Sequence, residues 1–125
     1  MRVYYQDTDA GGVVYHAQYL SFMERARSEL LIAASIDLAR FCERHGLLFL
    51  VHQITVKYRA PARLNELLSV TAEVAKMGRA SLVFRQQVER GADLLVEADV
   101  TVALVDRGRM LPTRMPEELE QALKK

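Results

Sequence analysis

From Ala17 to about Ser35 the apolar residues Tyr19, Leu20, Met23, Ala26, Leu30, Leu31 and Ala34 recur at three- and four-residue intervals. That spacing lines one stripe of an α-helix, and Glu24, Arg25, Ser28 and Glu29 fall on its polar side. Asp37 and Gly46 predict the two ends of a second, shorter helix, because Asp accepts unbonded N–H groups at an N-cap and glycine tolerates the left-handed position past the last turn. Beyond it the period falls to two, and strands are expected over 49–59, 66–77, 81–89 and 94–105, punctuated by Pro61, Gly78, Gly91 and Gly108. Residues 2–6, Arg-Val-Tyr-Tyr-Gln, read as a further short strand that runs into the turn-formers Asp7-Thr8-Asp9-Ala10-Gly11-Gly12. A last helix is expected over 116–125, with Pro116 near its start and acidic residues in its first turn.

The connections between the later strands are too short for parallel crossovers, so neighbours should pair antiparallel. The pattern therefore predicts an α+β fold with five antiparallel strands and one long helix whose stripe must be buried on the sheet. A strongly twisted sheet can curl around a single helix, which would give one continuous core. No repeat, low-complexity tract or linker interrupts the chain, and residues 1–125 read as a single domain.

Composition narrows the function classes. Half of the residues are hydrophobic and 26% are charged, which is ordinary for a soluble globular protein. Seventeen basic against sixteen acidic residues leave a net charge of +1, so no global field draws the chain to nucleic acid or anionic lipid, and any anion site must be local. Cys42 is the single cysteine; it cannot form an intrachain disulfide, no zinc-type Cys/His spacing is present, and a cytoplasmic location is expected. The sequence starts without an apolar signal region, and no apolar run approaches the ~20 residues of a membrane span. Secretion and membrane insertion are not expected.

The stretch that carries chemistry is Tyr4-Tyr5-Gln6-Asp7-Thr8-Asp9-Ala10-Gly11-Gly12-Val13-Val14-Tyr15-His16, which ends where the long helix begins. Unbonded N–H groups at a helix start stabilise negative charge, including a developing oxyanion, when small residues such as Gly11 and Gly12 let a ligand approach the backbone. An ionised Asp9 can attack a carbonyl or activate water. The loop thus holds both halves of an acyl transfer. Asp7 and Asp9 serve equally well as plain turn residues, bonding nearby N–H groups. Calcium is discarded, because an EF-hand register from Asp7 would put Gly11 and Gln18 where oxygen ligands are required.

The same block, Val3 to Ala17, followed by Glu24-Arg25-Ala26-Arg27, closely resembles the Tol–Pal-associated acyl-CoA thioesterases (YbgC-like) in the hydroxybenzoyl-CoA thioesterase group of hotdog proteins. Similarity continues through Val56-Lys57-Tyr58-Arg59-Ala60-Pro61-Ala62-Arg63-Leu64 and Ser81-Leu82-Val83-Phe84. The resemblance implies a hotdog fold, a five-stranded sheet wrapped around the long helix, and dimers or tetramers with sites between subunits. It implies an acyl-CoA substrate, Asp9 as the catalytic carboxylate and Tyr5 and His16 as supporting site residues. Gly11, Gly12, Val13 and Tyr15 fall in the same block, as the residues expected to meet the substrate. No cofactor or metal is required.

The remaining candidates have ordinary explanations beside their functional ones. Lys57, Arg59, Arg63 and Arg79 can hold the phosphates of coenzyme A by charge-assisted hydrogen bonds, although Lys57 and Arg59 flanking Tyr58 also describe a solvent-facing strand edge. Ser81 lacks the surroundings of a nucleophile elbow but can hydrogen-bond at the edge of the site. Glu24 and Glu29 make sensible i,i+4 neighbours with Ser28 and Arg25, and His45 and His52 show no paired-ligand spacing. Cleavage of an acyl-CoA to free acid and coenzyme A is the expected reaction. Two rivals stand beside it: a hotdog dehydratase using His16 and Glu24, whose His-Phe-Pro signature is absent, and a non-catalytic adaptor that binds an acyl carrier protein. An acyl carrier protein also remains a possible partner of the enzyme.

Overall fold

The computed structural model describes residues 1–124. Its elements in chain order are a 3-10 turn Tyr5–Asp7, α1 Gln18–Ala33, α2 Leu38–His45, β1 Leu47–Tyr58, β2 Ser69–Met77, β3 Ser81–Arg90, β4 Asp93–Asp106 and α3 Glu117–Leu123. The long helix, the short helix and the four later strands lie within a few residues of their expected positions. Asp37 caps α2, accepting from the Arg40 N–H at 3.3 Å, and Gly46 ends it at φ +63°. The far end of the helix expected over 116–125 includes Lys125, outside the described residues.

The sheet has four strands in the order β1-β4-β3-β2, every pair antiparallel, rather than the five expected. The missing strand is the first one. Met1 to Val3 do pair with the chain before β2: Arg2 bridges Leu67, and the Val3 N–H donates to the Glu66 carbonyl at 2.9 Å. Asp7 then ends the pairing, because its Oδ2 accepts the Tyr4 N–H at 2.9 Å and the chain folds into the 3-10 turn. A local side-chain bond to the backbone has overridden the β-propensity of Val-Tyr-Tyr. β2 starts at Ser69 instead of residue 66 for a similar reason: Glu66 turns back to accept the Arg63 N–H at 2.6 Å.

α1 lies against β2 and β3, burying Tyr19, Phe22, Met23 and Leu31. They meet the inner face of the sheet, where Leu82, Phe84, Val88, Val96, Val100 and Leu104 alternate with outward polar residues. Truncating a fully buried aromatic such as Phe22 to Ala typically costs about 3–5 kcal/mol, so this layer is what fixes the helix on the sheet. One polar side chain is buried in it: Gln86, 0% exposed, sends its Nε2 to the Met23 carbonyl at 2.8 Å and accepts from Arg27 at 2.9 Å through Oε1. α3 is joined to the end of α2 by Glu118, which accepts from Arg44 at 2.6 Å and pairs with His45 at 3.1 Å. Among the described residues no helix is long and apolar enough to cross a membrane.

Candidate active site

The loop that precedes α1 is a small hairpin. Thr8 bridges Val14, the Asp9 N–H donates to the Val13 carbonyl at 2.9 Å, and the Gly12 N–H donates back to the Asp9 carbonyl at 3.1 Å. Gly12 has φ +80°, the left-handed conformation that closes so tight a turn and that glycine adopts without strain. The hairpin is anchored on the chain after β1, where Val13 bridges Arg63 and the Val14 N–H donates to the Ala62 carbonyl at 2.8 Å. It then runs directly into the helix.

The two aspartates of the motif have separated roles in the structure. Asp7 is 5% exposed and holds the backbone through Tyr4. Asp9 is exposed near the hairpin tip; its Oδ1 accepts the Gly11 N–H at 2.8 Å, which leaves Oδ2 with no hydrogen-bond partner among the described residues. A side chain on Gly11 would meet Asp9 Oδ1 at 3.2 Å, so glycine there leaves the carboxylate its room. The turn thus uses one oxygen of the carboxylate and leaves the other open.

At the helix entrance the N–H groups of His16 and Ala17 donate to no acceptor among the described residues. Both residues are exposed. The carbonyl of His16 is held by the Tyr58 hydroxyl at 3.1 Å, and the His16 ring stands 4.5 Å from Tyr15 and edge-on to Tyr58 at 6.4 Å. Behind Tyr58 lies Tyr19, 5.7 Å away, whose hydroxyl accepts the Ala62 N–H at 2.9 Å. Burial pushes the Tyr19 phenol above its ordinary value, with the Ala62 bond opposing, so it stays protonated and acts as a strut between helix and loop. The His16 ring makes no hydrogen bond to Asp9, and Tyr5, 82% exposed, lies on the 3-10 turn.

The basic candidates are scattered. Arg63 adjoins the hairpin through its bridge to Val13. Lys57 on β1 and Arg59 just past its end lie on the side opposite Tyr58: Arg59 pairs with Glu97 at 2.7 Å, and Lys57 shares a polar groove with Thr55, Arg85 and Glu97. Arg79 lies in the β2–β3 turn and Ser81 begins β3, at the other end of the sheet. Ser81 faces Ala103 across the ladder while Tyr58 faces Val96, a separation of roughly 23 Å along β4. Within one chain those two residues and Asp9 are not neighbours. Tyr58 was not singled out from the sequence, although its alternation with Lys57 and Arg59 already turned it to the opposite face, toward the helix.

A family model described as the thioesterase superfamily matches residues 11–97. The acyl-CoA thioesterase YbgC of Haemophilus influenzae is 43% identical over 98% of this chain and 90% of its own length. The acyl-CoA thioester hydrolase YbgC of Escherichia coli O157:H7 is 46% identical over 95% of this chain and 89% of its own. Among solved structures, a probable thioesterase from Bartonella henselae superposes with a TM-score of 0.85 at 34% identity, covering 93% of this chain and 95% of that one.

Proposed function

Because the chain belongs to the thioesterase superfamily, as a relative of the YbgC acyl-CoA thioesterases, we propose that it hydrolyses acyl-coenzyme A with Asp9 as its catalytic carboxylate. One observation carries the reading. A carboxylate with a free oxygen stands on a hairpin that leads straight into a helix entrance with two unpaired N–H donors. The N–H groups of His16 and Ala17 donate to the thioester carbonyl oxygen and hold the negative charge that grows on it, a contribution commonly worth about 10²–10³ in rate for one donor. Asp9 takes a proton from water as the water oxygen attacks the carbonyl carbon; the C–S bond of the tetrahedral adduct then breaks, and the protonated Asp9 returns that proton to the departing sulfur, so coenzyme A leaves as the thiol and Asp9 is again a carboxylate. Direct attack by Asp9 through a mixed anhydride uses the same atoms, and general-base action is the preferred version. Tyr5, Tyr15 and the His16 ring flank the reacting group, while Gly11, Gly12 and Val13 leave the backbone accessible.

The substrate's anionic end falls to Arg63, the basic candidate beside the hairpin, with Arg79 and Ser81 contributed by a second subunit. Lys57 and Arg59 are the weaker candidates, since Arg59 is already paired with Glu97. A homodimer or homotetramer of one-domain subunits follows, working in the cytoplasm. Its support is β1, an edge strand that exposes Leu50 and Val51. An acyl carrier protein is a further possible donor of the acyl group.

Release of free thiol from a panel of acyl-CoA lengths tests the activity. Turnover of at least one member is expected, and a folded protein that releases none overturns the proposal.

A further inference from the structure

A cleft of about 210 Å³ opens between α1 and β1, walled by Leu31, Phe49, Val51, Phe84 and Val102 and bearing three polar groups, Glu24, Arg27 and Ser28. For scale, a cavity of ~150 Å³ holds a benzene ring. Arg27 is unusual among the arginines here. It is half-buried, no carboxylate lies within the 4.0 Å of an ion pair among the described residues, and the protein bond it makes goes to the neutral Gln86. Gln86 holds its own amide toward the Met23 carbonyl, so its oxygen is committed to Arg27 and the guanidinium is fixed in place. Burial pulls Arg27 below its ordinary pKa, and Glu24 works in the opposite direction without touching it.

The cleft is in line with the helix entrance. Ala17, Glu24, Arg27 and Leu31 follow one another at helical spacing on one side of α1, and β1 runs from Tyr58 beside His16 to Val51 in the cleft. Glu24 and Arg27 stand seven and ten residues beyond Ala17, roughly 10 and 15 Å along the axis. An extended chain with carbon–carbon bonds of ~1.5 Å covers that distance in about ten carbons.

We infer that this cleft receives the far end of the acyl group and selects thioesters of about ten carbons that carry a hydroxyl there. The inference rests on the thioesterase reading above. A plain alkyl end would strip water from Arg27 and Glu24 and return nothing. A terminal carboxylate would satisfy Arg27 but meet Glu24. A hydroxyl can accept from the guanidinium and donate to the carboxylate, two charges that share the cleft without forming an ion pair within 4.0 Å.

The test compares kcat/KM on decanoyl-CoA and ω-hydroxydecanoyl-CoA. The wild-type enzyme is expected to favour the hydroxylated substrate by about tenfold, the size of a hydrogen bond to charged groups. Arg27→Met reverses the preference, since methionine welcomes a methyl end, and Glu24→Gln, an exposed and nearly isosteric change, reduces it. If Arg27→Met does not fold, Glu24→Gln decides. Equal wild-type rates on the two substrates overturn the inference and leave the thioesterase reading intact, as does a preference that Glu24→Gln keeps in full. No hydrolysis of either, or of any other acyl-CoA, overturns both.

Discussion

The Tyr58 hydroxyl donates a 3.1 Å hydrogen bond to the backbone carbonyl of His16, and the other end of that same planar peptide is the unpaired Ala17 N–H. Carbonyl and N–H of one peptide point in opposite directions, so a side chain at the end of β1 aims a donor at the helix entrance. Tyr58→Phe is expected to lower kcat about fivefold with little change in KM, from a hydrogen bond worth ~1 kcal/mol that acts on the oxyanion donor. Steady-state kinetics beside a melting curve check it. Unchanged kcat would show that the peptide is held well enough without the bond.

Asp7 and Asp9 should part company on substitution. Asp9→Asn keeps the Gly11 hydrogen bond and the fold but removes the base, so kcat falls by about 10²–10⁴ with the melting temperature little changed. Asp7→Ala strands the Tyr4 N–H beside a buried site and lowers stability by about 1–3 kcal/mol, with a smaller effect on the turnover of molecules that remain folded. Near-normal turnover by Asp9→Asn moves the catalytic search to Glu24 and His16.

The neighbouring glycines predict different failures. A Cβ at Gly12 has open space around it, but Gly12→Val forces a β-branched residue to φ +80° and fills the approach to the backbone. We expect a strain of about 1–3 kcal/mol and loss of substrate binding. Gly11→Ala presses a methyl toward Asp9 Oδ1 from 3.2 Å, and it should depress kcat while leaving binding by calorimetry nearly intact. A folded Gly12→Val with wild-type kcat/KM would rule out ligand approach at that peptide.

Glu118 supplies a pH dependence. Its hydrogen bond from His45, followed by that from Arg44, holds its carboxyl below the ordinary 4.5. A depressed carboxylate contributes stability above its unfolded pKa and loses it as pH falls through the folded one, so the docking of α3 should weaken below about pH 4.5. In Glu118→Gln this part of the acid loss is already gone at pH 7. Urea midpoints at pH 7 and pH 3 measure it, and an identical acid loss in both proteins would assign it to other groups.

Sedimentation should find a dimer or tetramer at assay concentration, and Leu50→Lys on the exposed β1 edge should shift it toward inactive monomer. An active wild-type monomer contradicts the shared site.

What the sequence determined by itself was everything that depends on residues close in the chain. The stripe of α1, the Asp37 and Gly46 ends of α2, the alternation of β1 to β4 and the loop from Asp7 to Gly12 all follow from spacing and local propensity, and each is found within a few residues of its expected place. Even the lost first strand was decided locally, by Asp7 reaching back three residues to Tyr4, a competition between two local preferences that spacing alone does not rank.

The tertiary structure decided which residues share a site. Asp7 and Asp9 are the same residue type two positions apart, and only packing buries one and exposes the other. Tyr58 meets His16, and Gln86 meets Arg27, across separations of 42 and 59 residues that no periodicity encodes. Lys57 and Arg79 look alike as cations in the sequence, yet one lies on the outer face of the sheet and the other on the turn at its far end. The reason is physical: propensities and caps act over a turn of helix or a hairpin, whereas a site is made where a closed core brings distant segments within hydrogen-bonding reach.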